Sequence, residues 1–200
     1  RKARIYEKEL YSRIIMNLQL DEKRINHYLK YYKDEQSMHY NIYQDTQGLL
    51  NNDSIIDFST LRGARIFNLT IKANYSKFTK EISEAEIGEK INVYFESENN
   101  VNDALGYLWD YKDLRVRPFL SKYGINNTNE LFNNHQLDYF GLREKNIFSY
   151  SKLKEQYGTV EFDQLLFDLG IKTSWALTAL ENLLTSNKEL QLNLKNVLSE

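Results

Sequence analysis

Apolar side chains along the first forty residues recur with a helical period. Tyr11, Leu18, Ile25 and Tyr32 stand seven apart, and Ile14, Ile15, Tyr28 and Leu29 fill the same side. Spacings of three, four and seven place these on one stripe of an α-helix. Glu7, Lys8, Arg13, Glu22, Lys23, Lys30 and Lys33 fall on the opposite face. The pattern predicts one helix from Ala3 to about Tyr43, stopped by Gly48 and Asn51-Asn52-Asp53. A second leucine-rich stripe runs from about Glu161 to Leu198. Leu165, Leu166, Leu169, Leu177, Leu180, Leu183 and Leu184 mark its buried face, and Gly170 is expected to interrupt it. Each stripe must be covered in water, so the first and last helices are expected to pack together.

The middle of the chain reads less cleanly. Phe67, Leu69, Ile71, Ala73 and Tyr75 alternate with Asn68, Thr70, Lys72, Asn74 and Ser76, the period of a half-buried strand. Phe67, Ile71, Tyr75, Phe78 and Ile82 also fit helical spacing. Only Ile91, Val93 and Phe95 could pair with such a strand, so helix is the preferred reading, with a small β-hairpin around 66–95 as the other. Ser83 and Glu86 have capping-box spacing, in which the serine caps an amide and the glutamate reaches back. They predict a helix through Ile87, Ile91, Tyr94 and Leu108 towards Leu114. Pro118 then predicts a kink or stop near Arg117, because proline lacks an N–H and its ring crowds the preceding turn. From Tyr123 to Phe148 the chain turns Asn-rich and aromatic, read as loops with one short helix around Asn129–Phe140.

Composition sharpens this picture. One proline and 8 glycines among 200 residues leave too few turn formers for a sandwich or barrel, which needs a turn every 8–12 residues or so. The expected fold is mainly α: long N- and C-terminal amphipathic helices packed with two or three middle helices, as a single domain over 1–200. Basic and acidic residues number 26 and 28 and are interspersed, giving a net charge of −2. No basic stripe marks a nucleic-acid surface. With no cysteine, disulfides, thiolate metal sites and cysteine nucleophiles are excluded together.

Candidate chemistry is sparse. His27, His39 and His135 have no His-Glu-x-x-His spacing. Asp34 or Glu35 could share a helix face with His39 and hold a metal, but a solvated helix end is the preferred reading, and no metal or cofactor is expected. Serine elbows, phosphate loops, dinucleotide fingerprints and the Arg-x4-His arrangement of helical ribonucleases are missing. Asp110 with Asp113, and Asp138 with Glu144, could act as acid and base only if buried and convergent. Two arginine pairs, Arg62 with Arg65 and Arg115 with Arg117, could each grip a carboxylate or phosphate. Fifteen tyrosines and two tryptophans could line a ligand groove or cement the core.

Arg1-Lys2, the segment Tyr6-Glu7-Lys8-Glu9-Leu10, the long first helix and the Phe162–Leu198 finish together resemble an uncharacterised bacterial family. In it, one N-terminal transmembrane helix precedes a helical extracytoplasmic domain of unknown function. The resemblance implies a hydrophobic segment upstream of Arg1, anchorage in the inner membrane and a periplasmic domain, with a cytoplasmic placement as the alternative. It carries over no catalytic residues. The function expected is a non-enzymatic, membrane-tethered interaction, scaffold or sensory domain with a protein partner or self-association. The other reading is a soluble ligand-binding module that uses the arginine pairs and tyrosines.

Overall fold

The computed structural model describes residues 2–51, 53–63, 65, 69–123, 125–129 and 148–199. The long elements follow the stripes: α1 spans Lys2–Thr46, α4 Ala85–Tyr111 and α6 Val160–Ser199. Between them lie α2 (Ser59–Arg62), α3 (Ile71–Tyr75), a 3₁₀ segment Ser76–Glu81, a π-turn Lys112–Val116, α5 (Arg117–Lys122) and a 3₁₀ turn Leu153–Gln156. Among the described residues there is no strand, only one isolated antiparallel bridge between Asn126 and Phe148. No helix there is long and apolar enough to cross a membrane.

The hairpin reading is therefore corrected to helix. Ile71 and Tyr75 are both buried at helical spacing, and the proposed partner strand, Ile91 to Phe95, lies inside α4. Residues 66–68 and the expected helix around Asn129–Phe140, apart from Asn129, lie outside the described residues. The chain passes through Pro118 without stopping: α5 begins at Arg117, directly after the π-turn. A π-turn widens the helix ahead of the proline, where its ring would otherwise crowd the carbonyl of Leu114. Gly170 does not interrupt α6. Buried Leu169 and Thr173 on either side hold that turn by packing, which outweighs a glycine cost of roughly 0.5–1 kcal/mol.

Two compact units share these helices. Unit 1 comprises Arg1–Lys33, Ile66–Gly106 and Ser174–Glu200. Its core joins Leu18 and Ile25 of α1 to Ile91 and Tyr94 of α4 and Leu180 and Leu183 of α6, each 1% exposed or less. Burying one such leucine or isoleucine stabilises by roughly 1.5–3 kcal/mol. The first and last helices do meet here: Asn187 Nδ2 donates to the Leu18 carbonyl at 3.1 Å and to the Tyr94 hydroxyl at 3.0 Å. Gln191 donates to Glu22 at 2.9 Å and Lys8 Nζ lies 3.5 Å from the Leu198 carbonyl, so α6 runs antiparallel to α1. The expected capping box is replaced by a tertiary bond. Ser83 donates its amide, at 2.7 Å, and its hydroxyl to Glu7 of α1, while Glu86 is exposed.

Unit 2 comprises Asp34–Arg65 and Tyr107–Thr173. Leu61, Leu108, Val116, Leu120 and Phe162 are buried in it. Phe162 stacks on Phe119 at 5.7 Å and on Tyr157 at 5.9 Å, while Tyr157 donates to Asp45 at 2.6 Å.

Candidate functional site

The π-turn of unit 2 sends side chains two ways, and both directions matter. Lys112 points inward and is fully buried. Its ammonium donates to Glu35 at 2.8 Å, to the Thr60 carbonyl at 3.0 Å and, closely, to the Gly63 carbonyl. Three protons meet three acceptors, so the cation is fully satisfied and pins the α2 segment. Burial pushes the Lys112 ammonium below its ordinary range, and Glu35 opposes that shift.

His39 follows Glu35 by one helical turn and is 5% exposed, with neither ring nitrogen in hydrogen-bond geometry. Burial first, then the charge of Lys112, lowers its pKa to about 3, while the nearby Thr60 carbonyl pulls weakly the other way. The sequence offered Asp34 or Glu35 with His39 as a metal pair and preferred a solvated helix end; that preference is corrected, since Glu35 and His39 are buried within α1. The third group there is a cation, and no cluster of three acidic, histidine or cysteine ligands forms among the described residues.

Outward, the same turn presents Leu114 and Arg115 to a groove of about 650 Å³. One wall is Tyr111, Leu114, Arg115, Pro118 and Lys122; the other is Glu161, Gln164, Asp168 and Lys172 of α6, with Phe119 and Leu165 as its buried floor. Leu114 is left 69% exposed on the rim. Elsewhere on α6, Phe167 and Ile171 are exposed one turn apart, and neither lines the groove. At one end Lys122 bonds Glu161 at 3.1 Å, with Tyr123 donating to the same carboxylate, and these bonds hold Glu161 below its ordinary value. At the other end Lys172 lies 5.4 Å over the Tyr111 ring, and burial, then Asp168, raises the Tyr111 phenol.

The four arginines separate. Arg62 lies 3.7 Å over the Phe148 ring. Arg65 is exposed. Arg117 bonds Asp113 at 2.6 Å and lies 5.1 Å from the Trp109 ring. Arg115 alone of the four reaches the groove, and it has neither hydrogen bond nor ion pair among the described residues. Asp110 is exposed and Asp113 is held by Arg117, while Asp138 and Glu144 lie outside the described residues. The α6 wall was not singled out by sequence, since Lys122 and Glu161 are 39 residues apart. No family model matches this chain, and neither a curated protein nor a solved structure matches it.

Proposed function

We propose that this chain is a helical interaction domain, a binder rather than a catalyst, and that unit 2 takes a helical segment of a partner protein into its groove. The observation that carries the reading is the open groove with an apolar floor, where Leu114 stands 69% exposed. Small-molecule sites enclose about 70–90% of their ligand. Here only Phe119 and Leu165 of the eleven lining side chains are buried, and Leu114 adds an exposed apolar rim. Two helical walls with an exposed apolar rim suit the apolar stripe of a third helix.

A library of helical peptides selected against the chain tests this. Binders are expected to shift the methyl resonances of Leu114 and Leu165, and Leu114→Asp is expected to abolish binding while leaving helix content unchanged. Binders that consistently leave those methyls unmoved would place recognition elsewhere.

A further inference from the structure

Resting on the groove as the binding surface, we infer that the partner segment is acidic and that Arg115 is the residue that selects it, pairing with one carboxylate as the segment's apolar residues settle on Leu114, Phe119 and Leu165. Charge complementarity supports this occupant. The chain as a whole carries −2, yet the groove lining holds Arg115, Lys122 and Lys172 against Glu161 and Asp168. Lys122 and Glu161 neutralise each other at one end, 3.1 Å apart. At the other end Lys172 sits over the face of Tyr111, with Asp168 lining the same end of the groove. Between Tyr111 and Lys122 on the same wall stands Arg115, exposed, on the same π-turn as the apolar rim, while the other wall adds the uncharged Gln164.

A guanidinium presents two parallel donors that match a carboxylate bidentately, a stronger arrangement than a neutral amide pair. The π-turn adds the geometry. Because Lys112 is anchored inward by Glu35 and the Thr60 and Gly63 carbonyls, the turn that carries Leu114 and Arg115 is fixed from behind. A backbone held in this way presents Arg115 without the loss of backbone freedom that a loop would suffer on binding.

Two amphipathic peptides of about 16 residues, long enough to sustain a helix, serve as probes; they share one leucine stripe and differ by a single central Glu or Gln. Against the native chain the Glu peptide is expected to bind roughly tenfold more tightly, the size of one charge-assisted hydrogen bond. The preference is expected to vanish with Arg115→Gln, to survive in part with Arg115→Lys, and to weaken in high salt. Equal binding of the two peptides, both shifting the Leu114 and Leu165 methyls, overturns the acidic preference and leaves the groove reading standing. If neither peptide moves those methyls, while peptides selected from the library do, the acidic stripe is the wrong occupant. If no helical peptide moves them, the groove reading itself fails.

Discussion

Both units bury charge, but they satisfy it in opposite ways. In unit 1 the buried charges are carboxylates. Glu98, 2% exposed, accepts the amides of Ile71 at 3.2 Å and Lys72 at 2.9 Å, and Asp21, 1% exposed, accepts the Thr70 hydroxyl and a bond from Arg24. Around them the core is neutral and amide-rich, with Asn187 and Gln191 tying α6 to Tyr94 and α1. Among the described residues of unit 2 the buried charges are the Lys112 ammonium and the Glu35 carboxylate that matches it, with two carbonyls as the other acceptors. Glu98, held by neutral amides, can take up a proton and stay, whereas a fully bonded ammonium cannot be removed without stranding its acceptors. The two cores should therefore differ in what breaks them.

The largest effect is expected at Lys112. Lys112→Met leaves the Glu35 carboxylate buried beside two carbonyls with their donor gone, a loss of roughly 3–5 kcal/mol. Adding Glu35→Leu removes the stranded charge and should recover much of it, since an apolar pair of similar volume is often neutral. Denaturant unfolding of both variants measures this. A single variant as stable as wild type would mean that the pair contributes nothing to unit 2. In unit 1 the comparable test is apolar: Ile25→Asp or Leu180→Asp, both at fully buried positions, should each cost roughly 2–5 kcal/mol. Unchanged melting of both would remove these faces from the core.

What was legible follows the same division. Tyr11, Leu18, Ile25 and Tyr32 are all buried, 1% exposed or less, because a long stripe repeated over several turns leaves one way to cover it. Lys112 gave no signal. It sits in a charged stretch, between Asp110-Tyr111 and Asp113, as an ordinary solvated helix lysine would, and its partners Glu35, Thr60 and Gly63 lie 49–77 residues away. Arg115 was readable as a candidate anion-binding residue but not as the member of its pair that faces a groove. That distinction arises from the π-turn, which depends on tertiary packing around Lys112 and on Pro118. The capping-box spacing of Ser83 and Glu86 misled for a similar reason: a glutamate from α1, 76 residues away, took the serine first.

Mild acid should separate the units by sign. Burial raises Glu98 from 4.5 to about 7, and the charge of Asp21 adds to the shift. The folded chain thus holds a proton that the unfolded chain releases, so this contribution is present below pH 4.5 and is lost as pH rises through 7. His39 does the reverse. Its ring stays neutral in the fold, with a pKa of about 3 against an ordinary 6.5, so stability is lost as pH falls from 6.5 towards 3. Asp45 and Glu161 of unit 2 are held below their ordinary values and act at still lower pH. Between pH 8 and 5, each of the two main effects is worth about 2 kcal/mol at 1.36 kcal/mol per unit. Glu98→Gln should flatten the loss on the alkaline side and His39→Gln the loss on the acid side of the denaturation profile. Profiles of both variants parallel to wild type would show that neither group titrates through the transition.

The smallest expected difference lies at the surface, where the units should look most alike. Lys33 and Glu181 of unit 1 pair at 3.0 Å with side chains 57% and 54% exposed. Exposed pairs of this kind lose in side-chain entropy and screening most of what they gain, so Lys33→Ala should cost about 0.5 kcal/mol or less, and nothing measurable in 1 M salt, where screening acts over roughly 3 Å. Arg117 and Asp113 of unit 2 pair at 2.6 Å, and the Arg117 side chain is only 32% exposed, with its guanidinium 5.1 Å from the Trp109 ring. Packing on the indole survives salt, because it depends on contact and the ring quadrupole more than on the carboxylate. Arg117→Ala should therefore cost about 1 kcal/mol, with roughly half of that remaining in 1 M salt. Asp113→Ala, which removes the carboxylate and leaves the stacking, should cost less than Arg117→Ala at low salt and about nothing at high salt. Equal, fully salt-sensitive losses for Arg117→Ala and Asp113→Ala would show that the stacking contributes nothing and that the two surface pairs are equivalent.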